Sequence, residues 1–187
     1  MEKPIKKLRK KKCKVCKVQF QPLKPFQAWC SPNCGYQWQR ILRDKKERKE
    51  IKVQKEALLS RPDYLLLAQK VFNTYIRERD KLLPCISCGT SANVKYDAGH
   101  FWAAGNYSFL RFNESNVHKQ CSNKCNKHLS GNLIEYRFNL MRRIGEDEVL
   151  KLDEARHELL QLSIPEIKEL ILEYRDKLKE LKKENII

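Results

Sequence analysis

Eight cysteines fall into two quartets, and each quartet is two short-spaced pairs. Cys13-Lys14-Val15-Cys16 and Cys30-Ser31-Pro32-Asn33-Cys34 form the first, as C-x2-C-x13-C-x3-C. Cys85 and Cys88 with Cys121 and Cys125 form the second, where 32 residues separate the pairs. Short loops that each present two sulfurs suit tetrahedral zinc. The chain starts Met1-Glu2-Lys3-Pro4 and runs into basic residues without an apolar core behind them, so no signal peptide is read. Paired cysteines without an export signal point to metal before disulfides, and place the chain in a cytoplasm. Two zinc sites are therefore expected, and the chain must fold around them.

Charge separates the two quartets. Residues 1–58 carry 18 Lys or Arg against five Asp or Glu, whereas the other 129 residues carry 21 against 18. Such asymmetry calls for a polyanion partner at the N-terminal end. Nucleic acid is favoured over membrane, because no long apolar run or aromatic-anchored amphipathic helix follows. Residues 1–35 read as a basic zinc finger, with Phe20, Pro22, Phe26 and Trp29 as a small core over the metal. Lys10, Lys11, Lys12 and Lys14, within the basic stretch from Lys6 to Lys17, would face phosphate. Tyr36 to Leu59 reads as one polar helix, the helical linker 36–60, whose Lys45, Lys46 and Arg48 would lie along a DNA backbone. A stand-alone stabilising knuckle or a protein-binding finger is the plainer alternative.

Ser60-Arg61-Pro62-Asp63 breaks the chain and marks a boundary. An amphipathic helix over Asp63 to Leu82 then delivers Cys85. Inside the long gap of the second quartet, Val94 to Tyr96, Phe101-Trp102 and Tyr107 to Phe112 have strand character, with a turn at Gly105-Asn106. Val117 to Leu129 is expected as a helix capped by Asn116 or Ser115. Strand, turn, strand, helix makes a ββα unit, stapled by zinc. Leu133 to Ile144 and Glu146 to Leu162 read as helices. Ser163-Ile164-Pro165-Glu166 reads as a capping box for a last helix running to about Asn185. Its stripe of Ile167, Leu170, Ile171, Tyr174, Leu178 and Leu181 suits either core or a dimer seam. The fold class is thus mainly α, with a small zinc-stapled core over 61–145 and further helices over 146–187.

Phosphodiester hydrolysis needs an activated water and neutralised phosphate charge. A neutral histidine near a strand end can take a proton from water, which points to His100. Oxygen ligands suit Mg²⁺ or Mn²⁺ where thiolates suit zinc, which points to Asp97 and Asn126 for a catalytic cation. His128 is a rival ligand on the helix side. His118 reads as a packing or phosphate-contacting residue, and with Lys119 completes the candidate DNA contacts. His157 reads as a solvated side chain.

The stretch resembles the HNH, or ββα-metal, nucleases. Their histidine, loop asparagine and helix residue correspond to His100, Asn116 and Asn126, which implies that Asn116 holds the loop and orients the His100 ring. Many of them carry an acid directly before the base histidine, and here that position is Gly99. Arg77-Glu78-Arg79-Asp80, Leu83-Pro84-Cys85-Ile86-Ser87-Cys88-Gly89-Thr90, Asp97-Ala98-Gly99-His100, His118-Lys119-Gln120-Cys121 and Ser130-Gly131-Asn132-Leu133 more closely resemble the NinG (Rap) recombination nucleases of lambdoid phages. That resemblance implies a structure-specific endonuclease on branched recombination intermediates, D-loops and four-way (Holliday) junctions, in the host cytoplasm. Paired nicks need two sites, so a homodimer is expected. The alternatives are a non-catalytic zinc-finger DNA-binding or recombination mediator protein, and a nicking HNH endonuclease without branch preference.

Overall fold

The computed structural model describes residues 8–184. The chain divides into two compact units between Leu59 and Ser60. Lys6, Lys7 and Asn185 lie outside the described residues. Among the described residues no helix is long and apolar enough to cross a membrane.

In the N-terminal unit, strands β1 (Lys11–Lys12) and β2 (Gln19–Phe20) pair antiparallel, with Lys11 opposite Phe20. Helix α1 spans Pro32–Ala57. It starts before the expected Tyr36, because Ser31 caps it by accepting from the Cys34 amide and Pro32 sits in its first turn. Cys34 is therefore fixed by a helix start. Trp29 packs on the helix at Gly35, where an added Cβ would come within 2.8 Å of the indole Nε1. Of the four residues expected to form the finger's core, Pro22 is buried and Phe20 and Trp29 are half-buried, but Phe26 is 95% exposed. The tight turn around it gives an aromatic ring nothing to pack on.

In the second unit, helix α2 (Arg61–Arg79) opens with a capping box between Ser60 and Asp63. Strands β3 (Tyr96–His100) and β4 (Val117–Cys121) pair antiparallel, Gly99 facing His118. Helices α3 (Leu133–Ile144), α4 (Glu146–Ala155) and α5 (Ile164–Glu184) complete it. Phe72, Tyr75 and Ile76 of α2 pack with Ala98, Val117 and Tyr174 in one apolar cluster. Ile86, Phe101, Leu110, Tyr136, Leu140, Val149 and Leu152 form another. The α5 stripe is therefore core: Ile167, Ile171 and Tyr174 are buried, and the Tyr174 ring meets Phe72 edge-on at 4.8 Å.

Several expected elements differ: the helix expected over Glu146 to Leu162 ends at Ala155, and Phe101-Trp102 is a bend, not a strand. Ser108–Phe112 is a 3-10 turn, not a strand, and a second such turn covers Glu114–Asn116. Val117–Cys121 is the second strand, and only Ser122–His128 is helical, wound as a π-helix. His118, Lys119 and Gln120 are expected on the helix Val117 to Leu129, with His118 and Lys119 as candidate DNA contacts. Each instead has a tertiary partner that a strand alone can reach: Asp80, the Lys81 carbonyl and Ser87 respectively. The chain order strand, strand, helix persists, with the second strand supplied by a later segment.

Gly99 has a steric reason. A Cβ there would sit 2.8 Å from the Gln120 Cβ, and the Gln120 side chain fills the space on its way to Ser87 and the Gly131 carbonyl. Gly99→Ala should cost about 1–3 kcal/mol of unfolding free energy through overpacking. Urea unfolding of the two proteins reads this directly.

Candidate active site and zinc centres

Both cysteine quartets converge. Within each, the four Sγ atoms lie within 4.8 Å of one another. Cys16 and Cys30 sulfurs are 3.5 Å apart, Cys30 and Cys34 3.7 Å, and Cys88 and Cys121 3.8 Å. A tetrahedron of ~2.3 Å zinc–sulfur bonds has edges of about 3.8 Å, so both sets fit the ion. Burial, and then the crowding of the neighbouring cysteines, pushes the Cys125 thiol above its ordinary range. A cation among the sulfurs relieves that crowding by holding them as thiolates. Backbone amides help: the Cys121 amide donates to Cys85 Sγ at 3.3 Å, and the Cys125 amide to Cys121 Sγ at 3.4 Å. The second quartet thus ties the Cys85 loop to β4 and to the start of the π-helix.

His100 ends β3. Its Nε2 lies 3.1 Å from the Arg111 carbonyl. A carbonyl only accepts, so Nε2 carries the proton and Nδ1 keeps a lone pair. Burial pushes the His100 pKa below its ordinary value, with the Arg111 guanidinium adding to the effect and the Arg111 and Ala98 backbone opposing it. At pH 7 the ring is neutral and able to accept a proton.

His100 opens onto a surface depression also walled by Trp102, Tyr107, Asn126, Gly131 and Leu133. Asn126 reaches from the π-helix, and its Nδ2 donates to Asp97 Oδ2 at 3.0 Å. Asp97 feels partial burial, but Ser122, Asn126 and the lysines at 95 and 127 outweigh it and hold the carboxyl below its ordinary pKa. Asn126 therefore joins an ionised carboxylate to the depression that holds the histidine. Asn116 is fully buried. Its Oδ1 accepts from the Trp102 amide at 2.8 Å, and its Nδ2 donates to the Trp102 and Leu110 carbonyls, both at 3.0 Å. It caps no helix. It clamps the two ends of the loop between the strands, and its own carbonyl accepts from the Phe101 amide. The His100 ring is oriented by Arg111, and Asn116 holds the loop that carries Arg111.

The family described as Bacteriophage Lambda NinG protein matches residues 5–184. The chain belongs to the NinG family. It is similar to Protein ninG of Escherichia phage lambda, 39% identical over 193 residues, and to those of Escherichia phage 933W, 38% over 191, and Salmonella phage P22, 38% over 193. Each comparison covers 92% of this chain and 94% of the relative. No solved structure matches.

The NinG match spans both cysteine quartets and the candidate site, but not every candidate residue lies at the surface. His118 is buried: Nε2 is 3.1 Å from the Ser115 carbonyl, and Nδ1 faces Asp80 at 3.6 Å and Arg79 at 3.1 Å. Lys119 is buried too, donating to the Lys81 carbonyl at 2.8 Å with its ammonium over the Tyr96 ring. Neither is placed to touch DNA, because both side chains are used to seat β4 on the end of α2. His128 is exposed and does not wall the depression. His157 is exposed, 3.0 Å from the Arg156 side chain. Lys10, Lys11, Lys12, Lys14, Lys45, Lys46 and Arg48 are all exposed, as phosphate contacts need to be.

Three features of this NinG-family site escape a reading of residue types. The Arg111 contribution is a backbone carbonyl, which leaves no mark in sequence. Asp80 sits in a charged run that suggests solvent, yet it is 2% exposed. Gln120 sits beside a cysteine and reads as a surface residue, yet it shapes the strand around Gly99.

Proposed function

We propose that the chain is a metal-dependent DNA endonuclease of the HNH, ββα-metal type, acting on branched recombination intermediates in the host cytoplasm. The observation that carries this reading is the half-buried His100, its Nε2 on the Arg111 carbonyl, on one depression with the Asn126 that grips the Asp97 carboxylate. Nδ1 takes the proton from a water, leaving hydroxide to attack phosphorus. The Arg111 carbonyl stabilises the imidazolium that forms, since its partner N–H becomes more acidic. Asp97 and the Asn126 amide oxygen would hold Mg²⁺ or Mn²⁺, an oxygen set that suits a hard cation. When bound, that ion would neutralise charge on the phosphate and the leaving oxygen. Asn126 is preferred to His128 as the helix-side ligand because it lies on the depression. With Gly99 closed to any larger residue, Asp97 is the carboxylate left on this strand.

The basic N-terminal unit supplies affinity through phosphate contacts, which are independent of sequence. Branch preference follows the resemblance to NinG (Rap) nucleases, and paired nicking would take two chains. The test is cleavage of a labelled four-way junction and its matched linear duplex by zinc-loaded protein, with and without Mg²⁺ or Mn²⁺. Cutting of the junction over the duplex, dependent on the added ion, and lost in Asn126→Ala but kept in His128→Ala, is the expected result. Equal cutting of both substrates would discard the branch preference. Binding without cutting would leave a zinc-finger DNA-binding protein.

A further inference from the structure

One turn of the finger, over residues 23–26, holds two apolar side chains almost wholly in water. Phe26 is 95% exposed and Leu23 88%. Their turn is well tied. The Gln27 side chain accepts from the Leu23 amide at 2.8 Å and donates to the Trp29 carbonyl at 2.9 Å. The Gln27 amide donates to the Lys24 carbonyl at 3.1 Å, and the Lys14 amide to the Ala28 carbonyl at 2.8 Å. Lys11 Nζ reaches over to the Pro25 carbonyl. A loop this anchored presents its apolar tip at little further entropic cost.

Charge says what the tip meets. No Asp or Glu occurs between Glu2 and Asp44, while residues 9–24 hold seven Lys or Arg, Arg9 and Lys24 included. Such a field gathers a polyanion. Phosphates explain the lysines but not an exposed phenyl ring. An aromatic ring among cations is the arrangement on which bases stack when their faces are free, and duplex DNA hides those faces.

We propose that the finger tip, Leu23 and Phe26 with Lys24 between them, is a stacking site for the unpaired bases of single-stranded DNA. This rests on DNA being the partner, not on the nuclease chemistry. A branched substrate offers such bases where strands exchange, so the tip would bring the chain to the branch.

The test uses the full-length, zinc-loaded chain without added Mg²⁺ or Mn²⁺, so that no strand is cut. Binding to oligothymidylate and to a duplex of equal length is followed by anisotropy across a salt series, with zinc content checked in every protein. Phe26→Ala should weaken oligothymidylate binding about tenfold, since a base–aromatic stack is lost. Duplex affinity should stay within about twofold, and the salt slope should not change, because no charge is removed. Phe26→Trp should restore single-strand binding. Unchanged single-strand affinity, an equal loss on both DNAs, or no rescue by tryptophan would each overturn the proposal. A chain that stacks bases this way yet cuts nothing keeps the tip and loses the nuclease. A chain that cuts branched DNA while Phe26→Ala binds like the parent keeps the nuclease and loses the tip.

Discussion

Asp80→Ala should lower the unfolding free energy of the second unit by about 3–5 kcal/mol, the usual cost of stripping one partner from a buried ionic cluster. Asp80 is 2% exposed. One of its carboxylate oxygens meets Arg79 Nε at 2.7 Å, and the other accepts from the Lys119 amide at 2.9 Å and faces His118. Alanine would leave a buried β4 amide without an acceptor and strip the Arg79 guanidinium of its nearest counter-charge. Glu114, 3.7 Å from Arg79, softens the second loss only. Total stability of such a unit is on the order of 5–15 kcal/mol, so the effect is severe. Asp80→Asn keeps the shape and one of the two accepting oxygens but not the charge, and should cost less than alanine. Burial alone would raise the Asp80 pKa, but the neighbouring His118 and Arg79 side chains reverse this and hold it far below the ordinary 3.8. A depressed carboxyl pKa gives stability that is present above pH ~4 and fades as pH falls toward the folded value. The gap between the urea midpoints of the parent and Asp80→Ala should therefore be wide at neutral pH and narrow at acid pH.

Cys125→Ser should be worse for the second unit and nearly silent for the first. The Cys85 loop, β4 and the π-helix meet at these four sulfurs, and Asn126 directly follows Cys125. Zinc binding of this kind is folding free energy, on the order of 10 kcal/mol at neutral pH. The variant should retain one zinc per chain instead of two and lose the cooperative unfolding of residues 60–187. Cys34→Ser should also retain one zinc, yet leave that transition in place, because the two quartets belong to different units. Metal analysis with thermal unfolding followed by circular dichroism separates the two variants. Matching transitions in both would contradict this account of the second quartet.

What was legible in the sequence was whatever local chemistry dictates. The quartets followed from spacing, the start of α5 from Ser163 with Glu166, and helix α3 from its apolar period and the glycine after it, whereas the Ser60–Asp63 box that starts α2 at Arg61 reads in sequence only as a break. What was hidden was set by partners distant in the chain. Val117–Cys121 carries few marks of a strand, because its polar side chains are bound by Asp80, Lys81 and Ser87, up to 38 residues away. Phe26 shows the opposite error: aromatic character suggested core, but an anchored turn keeps the ring in water. At the candidate site, His100, Asp97, Asn116 and Asn126 were all visible as residue types. The structure adds that Asn126 pairs with Asp97 and that Arg111, by its backbone, fixes the tautomer of His100.

The role proposed for His100 is to activate water at a phosphodiester. It is tested most directly by single-turnover cleavage of a four-way junction with Mn²⁺, comparing the parent with His100→Ala. Removal of a general base should slow cleavage at least ~100-fold while leaving junction affinity within about twofold. Equal rates in the two proteins, or no cleavage by the zinc-loaded parent, would contradict it.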